Sequence, residues 1–213
     1  PGTASTVKRF ACKGFTSPEN CEGLRGILPL TLPSLSHRVK AMDRYGFPAL
    51  FSEPDRTYRY VLWRLWNESL PYLCVIGINP STADENVPDP TLKKCCKYAE
   101  KFGYGALCMV NLFAYRTKDP RVCFAARDPV GPDNDKHLRA AVAGAGMVLA
   151  AWGNDGARMG RADRVRRMLA VPMHCLAIND TGQPAHPLYQ PDNATPILMP
   201  ELPSEVYLDD ESV

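Results

Sequence analysis

Four short polar segments each follow an apolar run that has the character of a buried strand. In chain order they are Gly77-Ile78-Asn79-Pro80-Ser81, Asn111-Leu112-Phe113, Ala151-Trp152-Gly153-Asn154 and His186-Pro187-Leu188-Tyr189. Residues at the carboxyl ends of neighbouring parallel strands converge on one crevice, which is where open α/β sheets bind ligands. The spacing therefore predicts one site, built from amide, aromatic and imidazole side chains.

The first segment forms a sharp turn after its strand. Gly77 permits the turn, Pro80 fixes its exit, and Asn79 presents a carboxamide that both donates and accepts hydrogen bonds. A carboxamide holds a water molecule or a carbonyl edge, but it takes up no proton near neutrality and cannot be a general base. The alternative is an Asn-Pro turn in which Asn79 satisfies its own backbone. We expect Gly77, Pro80 and Ser81 to line the site.

The second segment combines an amide with aromatic rings, because Asn111 is followed by Phe113 and Tyr115. An amide reads the edge of a planar ring while an aromatic side chain stacks on its face, and a nucleobase is the obvious ring. The alternative is that Phe113 belongs to the core and that Asn111 forms a turn. The pattern thus favours base binding only in combination with the other segments.

The fourth segment supplies an imidazole. His186 lies beside Pro187 on a loop rich in turn residues, which predicts an exposed position at a strand end. A neutral histidine at that position donates a hydrogen bond to negative charge that develops on a leaving group.

The densest basic cluster lies on an amphipathic helix predicted over residues 157–169. Its members Arg158, Arg161 and Arg164 are candidates for contacts with the phosphates of a nucleic-acid backbone. A solvated basic face is the alternative. The carboxylates nearest to the Asn-Pro turn, which might hold a water or a metal but serve equally well as helix caps and surface charges, are Asp84, Glu85 and Asp89.

The elements that must position these residues alternate between strands and helices. Strand patterns cover 58–66, 73–78, 106–112, 147–152 and 173–178, and helices are predicted from 90, from Asn134 or Asp135, and from 157. A long loop precedes the second helix. The first two strands are predicted to form a hairpin. The alternation implies crossover connections, so we expect a mainly parallel sheet with helices on both faces.

The composition bounds the class of protein. A chain of 213 residues fits one α/β domain at 58–190 with an N-terminal arm at 1–57 and a C-terminal tail at 191–213. No apolar run approaches the ~20 residues of a membrane-spanning helix, so we expect a cytoplasmic protein with no membrane partner. The net charge of +2 is too small to indicate nucleic-acid binding by itself. Most of the eight cysteines lie in apolar runs without metal-ligand spacing, which predicts reduced, buried thiols and no metal.

Taken together, the segments resemble the uracil-DNA glycosylase superfamily in kind and in order. In that family a Gly-x-Asp/Asn-Pro turn holds the hydrolytic water, a strand ending in Asn recognises the base, another strand ends in Trp-Gly or similar, and a His-Pro motif supplies the catalytic histidine. The matching residues here are Asn79, Asn111, Trp152-Gly153 and His186. Family members with vigorous uracil excision carry Asp in the first motif, and most continue the His-Pro motif with Ser and a Leu wedge. This chain has Asn79 in the first motif and Leu188-Tyr189-Gln190 in the last.

A second resemblance is broader. The chain has Asp-Pro-Thr at 89–91, Asn-Leu-Phe-Ala-Tyr-Arg at 111–116, Gly-Pro-Asp-Asn-Asp at 131–135 and His-Pro-Leu-Tyr at 186–189. This full pattern is even more similar to a bacterial and phage family known as domain of unknown function 1643. If the protein is encoded by a phage, its location is the host cytoplasm.

The resemblance implies a three-layer α/β/α sandwich around a mainly parallel central sheet. It also implies a glycosylase-like enzyme without cofactor that acts on a nucleobase in DNA or in a nucleotide. Asn79 then places a water, Asn111 reads the base and His186 stabilises the departing base. The residues implied to surround the base are Phe113, which stacks on it, Tyr115, Trp152 and Gly153. The alternatives are a non-catalytic nucleic-acid or nucleotide binder and a transferase of phage-type DNA base hypermodification.

Overall fold

The computed structural model describes residues 49–81 and 89–202. Residues 1–48 of the predicted arm, the carboxylates Asp84 and Glu85, and the chain after residue 202 lie outside the described residues. The strands are β1 (Ala49–Phe51), β2 (Arg59–Leu65), β3 (Tyr72–Gly77), β4 (Ala106–Asn111), β5 (Met147–Ala150), β6 (His174–Cys175) and β7 (Ile197–Leu198). The α-helices are α1 (Pro90–Lys101), α2 (Pro120–Ala125), α3 (Asn134–Ala143) and α4 (Arg161–Leu169).

The seven strands form one sheet in the order β1-β2-β4-β3-β5-β6-β7. The central strands β4, β3, β5 and β6 are parallel to one another, whereas β1, β2 and β7 pair antiparallel at the two margins. The sheet is therefore mixed, and the prediction of a mainly parallel sheet was wrong. The marginal strands account for the difference, since they come from the two ends of the described chain and need no helical crossover.

The predicted hairpin of β2 and β3 was also wrong, because β4 lies between them. Gly105, just before β4, leads the chain between β2 and β3. Its carbonyl accepts hydrogen bonds from the amides of Trp66 and Asn67 at 3.0 and 2.9 Å, and its amide donates to the carbonyl of Pro71 at 2.9 Å. The fully buried strand β4 thus gains a partner on each side, and an apolar strand pattern does not specify which partner that is.

Side chains alternate between the two faces of the sheet and build two apolar clusters. Leu73 and Val75 of β3 belong to one cluster, to which α1 contributes Leu92, Cys95 and Ala99. This is the α1 face. Cys74 and Ile76 of β3 belong to the other cluster, to which α3 and α4 contribute Leu138, Ala141, Ala162 and Val165. This is the α3/α4 face. The sheet therefore separates α1 from α3 and α4.

Local signals explain where the helices begin. Helix α1 begins as predicted, because the Asp89 carboxylate accepts a hydrogen bond from the Leu92 amide at 2.7 Å and Pro90 fits the first turn. Helix α3 is preceded by Asp133, not by the predicted cap Asn134 or Asp135, and Asn134 lies inside the helix and is buried.

The other two helices depart from the predictions. Helix α4 begins at Arg161, after a stretch of 3-10 turns at Asn154–Gly160, because Arg158 is extended and Met159 has φ +56°. Helix α2 lies within the predicted loop, and there Asp119 caps the amide of Arg121 at 2.9 Å.

The remaining expectations concern thiols and membranes. The six cysteines in the part of the chain that the structure describes are free and buried, and burial raises the pKa of Cys123 to about 12. Over the same residues, no helix has both the length and the apolar character that a membrane crossing requires.

Candidate functional site

The carboxyl ends of β3, β4 and β5 lie side by side at one edge of the sheet. Gly77 pairs directly with Asn111, and its carbonyl accepts a hydrogen bond from the Leu112 amide at 2.9 Å. On the other side of β3, the Ala151 amide donates to the carbonyl of Ile76 at 2.9 Å. Three of the four polar segments therefore meet at this edge, which we call the candidate site.

The fourth segment reaches the same edge. The Ala185 amide donates to the carbonyl of Ala177 at 2.8 Å, which turns the chain back beside β6 before His186. A Cβ atom placed on Gly153 would lie 3.7 Å from the His186 Cβ. Gly153 itself has φ +70° and ψ −170°, a backbone conformation that is essentially restricted to glycine. Glycine is thus needed for the turn that brings β5 against the histidine.

Asn79 joins the loop after β3 to the loop after β4. Its Nδ2 donates to the carbonyls of Thr117 at 2.9 Å and Pro80 at 3.2 Å, while the Thr117 amide donates to the Pro80 carbonyl at 3.0 Å. The amide group of Asn79 therefore has a structural role, and its Oδ1 is the atom with which it can hold a water. Two residues later, Ser81 Oγ donates to Asp89 Oδ2 at 2.7 Å.

His186 is half-buried, although the sequence predicts an exposed position. Its Nδ1 accepts a hydrogen bond from the Leu188 amide at 3.3 Å, so the proton of the neutral ring lies on Nε2. Burial lowers the pKa of the imidazole, and the carboxylate of Asp89 opposes that shift. Among the described residues, Nε2 has no hydrogen-bond partner. The neutral ring can therefore donate a hydrogen bond from Nε2.

Asn111 is the second unsatisfied donor of the candidate site. The residue is only 3% exposed, and Nδ2 has no hydrogen-bond partner within the described ranges. A Cβ atom on Gly77 would lie 2.8 Å from the Asn111 Oδ1, so the glycine provides the room that the amide occupies. Buried donors without partners are rare in native proteins and need an explanation, and a bound ligand is one.

Three of the sequence-predicted residues lie in the interior instead. Phe113 is fully buried on the α3/α4 face, with its ring edge-on to Phe124 at 5.3 Å. Trp152 is buried and donates from Nε1 to Gln183 Oε1 at 2.9 Å. Arg161 is 3% exposed, and its Nε donates to the carbonyl of Leu112 at 2.9 Å. These three side chains hold the loops around the site and present no surface to a ligand.

The other predicted residues lie at or near the surface. Tyr115 is half-buried, with its ring 6.0 Å from the ring of Tyr58. Arg158 binds the carboxylate of Asp155 at 2.8 Å, and Arg164 is exposed on α4. Around the site edge the structure therefore brings together Gly77, Asn79, Pro80, Ser81, Asn111, Gly153 and His186. Arg161 contacts this edge only through the backbone carbonyl of Leu112, whereas Arg158 pairs with Asp155 and Arg164 is exposed.

The structure adds residues that sequence reasoning missed. Tyr189 is 80% exposed, and its ring lies 5.6 Å from that of His186. The sequence feature that could have identified it is an aromatic residue directly after the His-Pro-Leu segment. Arg59 at the start of β2 is buried. The sequence feature that could have identified it is a charged residue inside an apolar strand pattern. Within the described residues, no group of three or more His, Cys, Asp or Glu side chains is arranged to hold a metal ion.

Comparison with known proteins identifies a family. A family model described as "Protein of unknown function (DUF1643)" matches residues 59–188. No curated protein and no solved structure matches the chain. The matched segment covers more than half of the 213 residues and runs from Arg59 at the start of β2 to Leu188 after His186, so it contains the candidate site. The chain therefore belongs to the DUF1643 family of proteins of unknown function.

Proposed function

We propose that the chain is a glycosylase-like enzyme that hydrolyses the N-glycosidic bond of a nucleobase in DNA or in a nucleotide. The observation that carries this proposal is the buried Nδ2 of Asn111, which lacks a partner among the described residues. The neutral imidazole of His186 lies at the same edge of the sheet.

The base-recognition step rests on Asn111. A carboxamide offers a donor and an acceptor side by side, which complements a ring edge that carries a carbonyl beside an N–H group. Uracil and thymine have such an edge. Since Phe113 is buried in the core, we assign the stacking role that the resemblance gave it to Tyr189, whose exposed ring adjoins His186.

The chemical step rests on His186 and Asn79. The bond between the sugar C1′ and the base nitrogen breaks, and its electron pair leaves with the base. The Nε2–H of neutral His186 donates a hydrogen bond to the negative charge on that base. Asn79 Oδ1 accepts a hydrogen bond from the water that adds its oxygen to C1′, and the proton of that water passes to solvent because a carboxamide cannot hold it.

The fold is compatible with this proposal. Helices pack on both faces of the sheet, as in the three-layer α/β/α sandwich of the uracil-DNA glycosylase superfamily that the four segments resemble. We therefore place the proposed substrates, DNA and nucleotides, at the carboxyl ends of the parallel strands. We place the activity in the cytoplasm, where such substrates occur.

The second candidate is a binder that recognises a base without cleaving it. Asn79 favours it, because a carboxamide stands where the vigorous glycosylases carry a carboxylate. Moreover, its Nδ2 donates to two backbone carbonyls, those of Pro80 and Thr117. In this candidate, Asn111 and His186 bind the base, and no bond is broken.

Mass spectrometry of released bases separates the two candidates. The protein is incubated with uracil-containing DNA, hypermodified phage DNA and the corresponding nucleotides, and free bases are quantified. We expect release by the wild type and a loss of about 10²–10³-fold in His186→Ala. Asn79→Ala should also lose the activity. The matched control is His137→Ala on α3, which also removes a half-buried imidazole of lowered pKa.

Each outcome decides between the candidates. Base release that is unchanged in both His186→Ala and Asn79→Ala contradicts the assigned roles. Binding of the same substrates without release by the wild type overturns the enzyme in favour of the binder. Neither binding nor release from any of them overturns both.

A further inference from the structure

Helix α1 carries a row of exposed lysines. Lys93, Lys97 and Lys101 follow one another at intervals of four residues, and all three are exposed. A rise of about 1.5 Å per residue places successive lysines of this row ~6 Å apart on one side of the helix. Glu100 is the one acidic residue of the helix. The lysine row, as we call these three residues, therefore forms a stripe of positive charge.

Three lysines of α1 share one carboxylate. Lys94, which lies beside the row, forms an ion pair with Asp192. Lys101 Nζ donates to the backbone carbonyls of Asp192 at 3.2 Å and Ala194 at 3.1 Å. The hydrogen bond from Lys94 lowers the pKa of Asp192, and the charges of Lys97 and Lys101 add to that shift. A single carboxylate therefore faces three cations that are close enough to interact with it.

Two members of the row point no charge at a partner. The ammonium groups of Lys93 and Lys97 form no hydrogen bond and no ion pair with the residues that the structure describes. The carboxylate at the start of the helix, that of Asp89, accepts hydrogen bonds from the Leu92 amide and from Ser81 Oγ. These two ammonium groups are therefore available to an external anion, and a row of them attracts a polyanion.

The lysine row begins beside the candidate site. Met109 of β4 belongs to the cluster of the α1 face, so alternation places Asn111 on that face as well. The 3-10 turn at Pro187–Tyr189 lies against α1. Burial lowers the pKa of His186, and the carboxylate of Asp89 at the start of α1 opposes that shift. A chain molecule that leaves the site along α1 therefore passes the lysines of the row one after another.

We propose that the lysine row of α1 binds the phosphates of a DNA strand that presents one base to the candidate site. Ammonium groups bind phosphates as point charges and carry no sequence information, so the row adds affinity for a strand of any sequence. An acidic peptide or an anionic membrane matches the charge but supplies no base for Asn111. The substrate class is then a strand instead of a free nucleotide. This inference rests on the proposed function, because the same site reads the base.

The lysine row takes the role that the sequence predicted for the arginines of α4. Arg161 is buried and paired with Asp135, and Arg158 binds Asp155. The lysines of α1 are exposed and lie next to the site, so the phosphates are expected on this side of the sheet.

Fluorescence anisotropy with the whole protein tests the row without requiring catalysis. The probes are labelled single-stranded DNAs of about 12 nucleotides, long enough to span the ~18 Å of α1. One probe contains a single deoxyuridine, and the other consists of deoxyadenosine alone. We expect the wild type to bind both strands, with an affinity that falls as the salt concentration rises. An RNA strand of the same sequence and deoxyuridine 5′-monophosphate complete the set.

Variants locate the phosphates. Lys93→Gln and Lys97→Gln combined should weaken the binding of both strands about tenfold at low salt. The slope of log affinity against log salt should become shallower by about 1.4, the share of two phosphates of a single strand. The same two lysines changed to arginine should keep the slope. The matched control is Lys136→Gln combined with Arg139→Gln, which removes two exposed charges from α3 and should change neither value. Binding of the monophosphate should be the same in all of these proteins.

The proposal is overturned if the wild type binds neither strand, or if the lysine variant keeps the affinity and the salt slope of the wild type. Equal losses in the α3 control also overturn it. Tighter binding of the RNA strand, of polyglutamate or of phosphatidylserine vesicles assigns the row to that partner and overturns the choice of DNA. Base release from free nucleotides alone sinks the row while leaving the proposed function standing. Conversely, strand binding through the row without base release supports the row and overturns the hydrolysis.

Discussion

The buried asparagines on the two faces of the sheet differ in their hydrogen bonds. On the α3/α4 face, Asn134 Nδ2 donates to the carbonyls of Asn111 and Leu112 at 3.1 and 3.0 Å, and within the described residues only its Oδ1 lacks a partner. At the edge of the α1 face, Asn111 is equally shielded from solvent, but its Nδ2 donates to no described residue. An unpaired donor costs more than an under-used carbonyl oxygen, so the first amide serves the fold, and we propose that the second binds a ligand.

A buried arginine of the α3/α4 face has the same role as Asn134. Arg161 donates to the carbonyl of Leu112 and forms an ion pair with Asp135, so its charge is compensated inside the protein. Arg161 and Asn134 therefore stabilise the loop that follows β4.

The largest expected effect is the loss of the Arg161 anchor. Arg161→Ala removes the ion pair with Asp135 and one of the two hydrogen bonds to the Leu112 carbonyl, and should lower the free energy of unfolding by about 3–5 kcal/mol. Arg164→Ala removes an exposed charge from the same helix and should change it by less than about 0.5 kcal/mol. Urea denaturation measures both values. Equal effects of the two substitutions would remove the distinction between a structural and a surface arginine.

The next largest effect is the difference in stability between variants of the two asparagines. Asn134→Ala removes the two hydrogen bonds that Nδ2 donates to the carbonyls of Asn111 and Leu112, and should cost about 1–3 kcal/mol of unfolding free energy. Asn111→Ala removes a donor that has no partner in the described chain, so its cost without ligand should stay below about 1 kcal/mol. The same urea titrations apply. A larger cost for Asn111→Ala than for Asn134→Ala would show that Asn111 belongs to the fold.

A methyl group on Gly77 should disturb the site and spare the fold. The new Cβ would lie 2.8 Å from the Asn111 Oδ1, so the amide must move away from its position. We expect Gly77→Ala to weaken binding of the base about tenfold, as one misplaced hydrogen bond does. The control is Gly144→Ala, whose Cβ would meet the Tyr72 hydroxyl at 3.0 Å instead of a site residue. Equal losses of affinity would contradict the role of Gly77.

The smallest effect concerns pH. Burial lowers the pKa of His186 from its ordinary value of 6.5, so the active neutral ring persists as the pH falls to that value and is protonated only below it. Base release should therefore decline on an acid limb centred below pH 6.5. Asp89→Asn keeps a helix cap but removes the carboxylate that raises the pKa of His186, and should move the limb to lower pH. An acid limb above 6.5, or one that Asp89→Asn moves upward, would contradict a neutral histidine donor.

Sequence reasoning succeeded where the cause was local and failed where it was tertiary. Helix α1 could be predicted from Asp89 and Pro90, because a cap and a first-turn proline act within a few residues. The pairing of β2 with β4 could not be predicted, since apolar strands do not encode their neighbours. Likewise, only packing against Phe124 decides that Phe113 is a core residue. Sequence order brought Asn111 and His186 into one hypothesis, but the missing partner of Asn111 depends on the surrounding fold.

The most direct measurement follows the side-chain amides of Asn111 and Asn134 by NMR in protein with ¹⁵N-labelled asparagine. Free bases and their deoxynucleoside 5′-monophosphates, those of uracil and thymine included, are added in turn. The account predicts that at least one ligand shifts the Nδ2 resonances of Asn111 while those of Asn134 stay in place. Unchanged Asn111 resonances with every ligand, or equal shifts of both amides, would contradict a base-binding site at the edge of the α1 face.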